Sequence, residues 1–145
     1  MAGSLRSRDF IVTSLGYFFL FLSSSVFYLY PLFLDGFNAS KSSVGLIMGI
    51  HSVTAILIRP FSGRFMDEKG ARPSAILGIS IMILSIPGFY LVRSAGLAAV
   101  ALRALNGAGW GLASTAMMKI GADSAPSERM AHSLGILGAA GIVSS

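Results

Sequence analysis

The chain has 145 residues, 54% of them hydrophobic and 12% charged, with 11 Lys and Arg, 6 Asp and Glu, and no cysteine. Soluble domains carry about 25% charged residues, so half that share excludes a surface wetted on all sides, and the apolar content excludes disorder. The missing thiols remove disulfides, thiolate metal sites and thiol catalysis together, and whether a formal charge of +5 means nucleic acid depends on where the basic residues fall.

The charges act as punctuation. No ionisable Lys, Arg, Asp, Glu or His occurs from Phe10 to Leu34. As a helix that run is roughly 37 Å long, enough for about 30 Å of hydrocarbon. A second segment covers 43–62 and contains His51 and Arg59; a third covers 73–92 without a charge. A fourth covers 94–118 around one charge, Arg103, and a fifth covers 130–145. Barrel strands would be about ten residues long and alternate in polarity; Ile79–Ile86 and Leu97–Leu102 do not alternate. The expected fold is therefore an all-α membrane bundle with four complete transmembrane helices and most of a fifth. The first segment is too long for a signal-peptide core and lacks a small-x-small cleavage site, so it reads as a retained span. The fifth is still apolar at Ser145, which implies a longer protein.

Orientation follows from the basic residues. With a cytoplasmic N-terminus, the inner segments hold Arg6, Arg8, Arg59, Arg64, Lys69, Arg72, Lys119 and Arg129, and the outer ones only Lys41 and Arg93. That bias accounts for the basic balance without nucleic acid. It predicts a multi-pass protein of a plasma or bacterial inner membrane, whose immediate partner is the lipid bilayer.

Between the second and third segments the chain reads Arg59-Pro60-Phe61-Ser62-Gly63-Arg64-Phe65-Met66-Asp67-Glu68-Lys69-Gly70-Ala71-Arg72-Pro73. Gly63 would let another backbone approach, and Gly70 would allow a reversal at positive φ. Asp67 would seek an Arg or a helix N-terminus, and Pro73 suits a first helical turn. The pattern Gly63-x-x-x-Asp67-x-x-Gly70-x-Arg72 resembles the signature between helices 2 and 3 of the major facilitator superfamily. Arg59-Pro60 and Pro31-Leu32-Phe33-Leu34 are similar to sugar- and drug-type members. The family pattern has a basic residue directly after the Asp; here Glu68 intervenes before Lys69. The resemblance implies a cytoplasmic gate in which Gly63, Asp67, Gly70 and Arg72 hold two halves of a transporter together and release them. The plainer alternative is a basic turn that only fixes topology.

The fourth segment reads Arg103-Ala104-Leu105-Asn106-Gly107-Ala108-Gly109-Trp110-Gly111. Arg103 is expected about 13 Å deep, where a charge costs at least about 2.5–3.5 kcal/mol and must face a cavity or a partner. Gly107 and Gly111 form a small-xxx-small face for close helix contact. The run resembles the family's second signature, with Asn106 where Gln is frequent. In proton-coupled antiporters that Arg is implicated in coupling. An arginine that only bonds buried carbonyls is the alternative. A dinucleotide reading of Gly107-x-Gly109 fails, because that motif follows a strand. Asp123-Ser124-Ala125-Pro126-Ser127-Glu128-Arg129 is similar to the family's next connection, and Asp123 with Arg129 would extend the gate's charge network or merely anchor the interface.

Polar residues concentrate on the first segment (Tyr17, Ser23–Ser25, Tyr28, Tyr30) and the fourth (Arg103, Asn106, Ser114, Thr115). These two are expected to line a central cavity, with the third more lipid-facing. Serines in such helices mostly bond their own backbone. His51 is either a proton relay or, more plainly, a packed neutral ring. Asn38-Ala39-Ser40 matches a glycosylation acceptor but hugs the membrane. The whole reading is residues 1–145 as an incomplete N-terminal half of a major facilitator transporter. It would be built from three-helix repeats, need further C-terminal helices, and carry a small-molecule substrate with the proton as coupling ion. It would be no enzyme and would take no cofactor or metal. A hydrolase built on Ser80 and His51 lacks an orienting group and an oxyanion motif. The remaining alternative is a non-transporting membrane sensor or assembly subunit.

Overall fold

The computed structural model describes residues 2–124 and Gly135, with side chains from Ile11 onward. The described residues form helices and no strand: α1 (Ala2–Ser25), a 3-10 helix (Val26–Leu29), α2 (Tyr30–Asp35), α3 (Lys41–Leu57), α4 (Arg59–Lys69), α5 (Ala71–Leu91) and α6 (Leu97–Ser124). The fifth segment expected over 130–145 lies outside them, Gly135 apart.

The first span is not a single α-helix. Ser23 and Ser24 donate to the Leu20 carbonyl and Ser25 to that of Leu22, drawing these acceptors off the helical ladder. Pro31 then has no N–H to offer the Phe27 carbonyl four residues back. Tyr30 N–H takes that oxygen from three residues away, the spacing of a 3-10 turn. The chain is helical again from Tyr30, and Ile11–Asp35 together has the length and hydropathy of a membrane span.

The second span is bent as well. α3 starts at the N-cap Ser40, whose hydroxyl accepts from Ser43 N–H at 3.1 Å, and stops at Leu57. Pro60 removes the next ladder bond, and α4 leaves at 41°. A loop was expected over 63–72, between the second segment and the third. The chain instead stays helical to Lys69 and reverses at Gly70, with φ +93°, a backbone region that suits glycine. α5 begins one residue later and is continuous through Pro87.

α6 is the hub. It packs against α1, α3, α4 and α5, whereas α1 makes no close backbone contact with α3 or α5. Its 28 residues would extend about 42 Å. Its close neighbours need glycine: a Cβ at Gly78 of α5 would lie 2.6 Å from the Gly109 carbonyl oxygen. At Gly107 it would strike the His51 carbonyl and Thr54 Oγ1 of α3. Small residues thus bring backbones together where packing drives association.

The outward faces are apolar: Leu84, Tyr90, Leu91 and Leu97 are each more than 75% exposed. α5 passes the test of length and hydropathy for a span, as does Ile11–Asp35, and α3 with α4 passes if the bent pair is one span. α6 does not qualify. Its core is Ala, Gly, Ser, Asn and Arg, a composition set by burial among helices rather than by lipid.

Candidate functional site

Two clusters collect the sequence-derived residues. The first is the corner where α4 turns into α5. Gly63 and Asp67 are one turn apart on α4, Gly70 makes the reversal, and Arg72 is the second residue of α5. Gly63 does not serve close packing among the described residues, since a Cβ there would meet nothing within 4 Å. Asp67 is exposed in the last turn of α4, the negative end of that helix, and forms no ion pair among the described residues. Asp123, at the far end of α6, lies 3.8 Å from Lys119; its expected companion Arg129 is outside the described residues.

The second cluster surrounds Arg103. The turn at 94–96 delays α6, so Arg103 lies about 9 Å from the helix start at Leu97. It is 3% exposed, buried rather than facing an open aqueous path. Its guanidinium carbon lies 4.4 Å from the Phe27 ring centroid and 5.9 Å from that of Tyr30. Nη2 approaches Met48 Sδ at 4.0 Å. Such cation–π contact is worth about 0.5–2 kcal/mol, yet Nε and Nη1, with the nearby Tyr30 hydroxyl, are buried without hydrogen-bond partners among the described residues.

A turn further on, Asn106 is 2% exposed. Ser85 donates its hydroxyl to the Met82 carbonyl at 2.6 Å, so its oxygen is left to accept from Asn106 Nδ2 at 3.0 Å. This chain of bonds fixes the amide's orientation and leaves Oδ1 without a partner among the described residues. Gly107 and Gly111 lie against α3, and Gly109 against α5. His51 is half-buried, with Nδ1 enclosed and without a hydrogen-bond partner among the described residues. Its ring lies 6.1 Å from Trp110, which meets Phe21 at 5.3 Å, and Phe21 meets Tyr17 at 4.9 Å. The packed reading of His51 describes this geometry. Ser80, exposed on α5, is no part of it.

Sequence reasoning missed the aromatic seat of Arg103 and the Asn106–Ser85 pair. One signal was available: Phe27 and Tyr30 lie in the last third of the first span and Arg103 in the first third of α6. The lining of the open space also differs from expectation. A cavity of about 350 Å³ lies between α1 and α5, with Asn106 and Met117 of α6 in its wall, so the third span contributes to a cavity and does not only face lipid. Among the described residues no group of three or more His, Asp or Glu side chains could hold a metal ion.

Long apolar helices, lipid-ready outer faces and a polar, glycine-rich central helix define a multi-pass α-helical membrane protein. The chain belongs to the Major Facilitator Superfamily, a family of membrane transporters of small molecules, whose family model matches residues 3–145. No curated protein and no solved structure matches it.

Proposed function

We propose that this chain is part of a secondary transporter that moves a small solute by alternating access, coupled to protons, in a plasma or bacterial inner membrane with a cytoplasmic N-terminus. The observation that carries the reading is Arg103, an almost wholly buried cation on the helix that every other long helix packs against. A membrane protein retains such a residue at a cost of several kcal/mol, and function is the usual reason. The eight-to-two distribution of basic residues supports the orientation.

Asp67, Gly70 and Arg72 are the gate in this reading. An exposed carboxylate at the negative end of α4 is poorly placed for that helix. It gains by meeting a cation or a helix N-terminus in one access state and not in the other, and so biases the equilibrium between them. The test is Asp67→Asn in the full-length protein, reconstituted in vesicles with an imposed proton gradient. Solute movement per inserted molecule should fall at least about tenfold with insertion unchanged, equivalent to about 1.4 kcal/mol. Transport at the parent rate would reduce the corner to a topology signal.

A further inference from the structure

The first span is broken where two packed clusters meet. Tyr30 and Leu34 of α2 pack with Ile47, Val92 and Ala99. Leu20 of α1 packs with Met82 and Ala113 in a separate cluster. The 3-10 turn Val26–Leu29 joins the two, and bonds of that kind are poorer in geometry than α-helical ones. Three serines divert helix carbonyls just before it.

The turn also has room. A cavity of about 350 Å³ lies on one side, between α1 and α5. A second of about 530 Å³ lies between the α2 end of the span and the end of α5. Ser23, Phe27 and Ile86 line both, and close-packed interiors hold few such voids. Among the described helices α1 makes close backbone contact only with α6 and with the turn itself. No backbone therefore blocks α1 on the side that faces α5.

One interaction pins the turn. Phe27, its second residue, carries the Arg103 guanidinium at 4.4 Å from the ring centroid. Nη2 reaches Met48 Sδ at 4.0 Å, so the arginine ties the turn to α6 and α3. Nε and Nη1 have no partner among the described residues. A guanidinium held by a ring face and a sulfur is held less firmly than one held by charged acceptors, so the contact can be made and broken.

We propose that the turn Val26–Leu29 is a hinge on which α1 swings relative to α2, and that Arg103 seated on Phe27 is its latch. With the latch closed, the turn is fixed against α3 and α6. With it open, the angle of α1 is set by its contact with α6 and by the room beside α5. The claim concerns the shape of the chain and stands apart from the transport reading.

The experiment is double electron–electron resonance on nitroxide pairs in the full-length protein in nanodiscs, without solute or gradient. One pair, Val12→Cys with Ile76→Cys, joins exposed positions of α1 and α5. Val12 is about 22 Å from Phe27 along the helix, so each 10° of swing carries it about 4 Å. The reference pair, Leu32→Cys with Leu91→Cys, joins α2 to the end of α5 at exposed positions beyond the hinge. Phe27→Leu removes the ring and keeps an apolar side chain; Arg103→Met removes the charge and keeps a long one. Each should raise the weight of a second, displaced distance in the Val12–Ile76 pair about two- to thirtyfold, as loss of a cation–π contact implies, and leave the reference pair unchanged. Phe27→Tyr keeps a ring under the charge and should match the parent. An unmoved Val12–Ile76 pair would overturn the hinge, including the case in which another part of the full-length chain clamps α1. A shift in only one of the two variants, equal broadening of both pairs, or Phe27→Tyr behaving as Phe27→Leu would overturn the latch. Should Phe27→Leu fail to insert, Arg103→Met decides alone, because removing a charge from a membrane helix favours insertion. None of these readouts involves solute movement, so this claim and the transport reading fail independently.

Discussion

Gly107→Ala adds one methyl group at the crossing of α3 and α6. The new Cβ would strike the His51 carbonyl oxygen and Thr54 Oγ1, and would lie 2.8 Å from His51 Cα. Two of these three are backbone atoms and cannot rotate aside. Ordinary contact begins at 3.4 Å, so the helices must part by more than half an ångström along a seam that also holds Gly111 against Ala55. Overpacking of this kind costs about 1–3 kcal/mol, and interiors at close-packed density spread the strain. Alanine's better helix propensity returns up to about 1 kcal/mol, leaving a net loss of about 1–2 kcal/mol. Gly49→Ala is the matched control, because a Cβ there meets nothing within 4 Å; it should be neutral or slightly stabilising. Both variants are compared with the parent by denaturation of the purified full-length protein in mixed micelles, followed by loss of helical circular dichroism. If Gly107→Ala unfolds together with Gly49→Ala, the close approach of α3 and α6 is wrong.

Three further outcomes follow from the same geometry. Arg103→Lys keeps the charge but loses the planar fork of donors, so partial transport is expected, and Arg103→Ala should lose transport at comparable expression; vesicle flux normalised to inserted protein tests both, and full activity of the alanine variant would make the residue one of packing only. Ser85→Ala leaves Asn106 Nδ2 without its acceptor and should cost about 1–2 kcal/mol in the micelle assay; no loss would mean that the bond contributes nothing. Ser42→Cys and Glu68→Cys, both at exposed positions of a cysteine-free chain, should react with an impermeant thiol reagent from opposite sides of sealed cells, and labelling from one side would overturn the topology.

The spans themselves were legible because lipid imposes a simple rule on composition, as the 25 charge-free residues from Phe10 and the uncharged run after Pro73 show. Pro60 marked the bend between α3 and α4, although the helix continuing through Gly63–Lys69, where a loop was expected, is a matter of ladder bonds that composition does not count. The 3-10 turn at Val26–Leu29 depends on two causes acting together, three serines and a proline. Either alone is common in an unbroken span, so the pattern was visible and its result was not. Arg103 declared itself as an expensive charge, but its seat on Phe27 joins residues 76 positions apart across two helices. Local spacing carries no record of that distance. Asn106 was read as part of a motif, while its bond to Ser85 belongs to the packing of α5 on α6.

The hub position of α6 has a consequence for biosynthesis. Of the described helices it leaves the ribosome last, and it carries Arg103, Asn106 and a run of glycines instead of the apolar stretch that partitions readily from the translocon into lipid. The earlier spans must therefore wait in the bilayer without the surface that unites them, since α1 touches neither α3 nor α5 along its backbone. α6 enters next to neighbours that already offer Ser85 for its amide and Phe27 for its guanidinium. The packing of α6 is thus prepared by its own neighbours, and a substitution that displaces α3 or α5 would surface first as a loss of the α6 contacts.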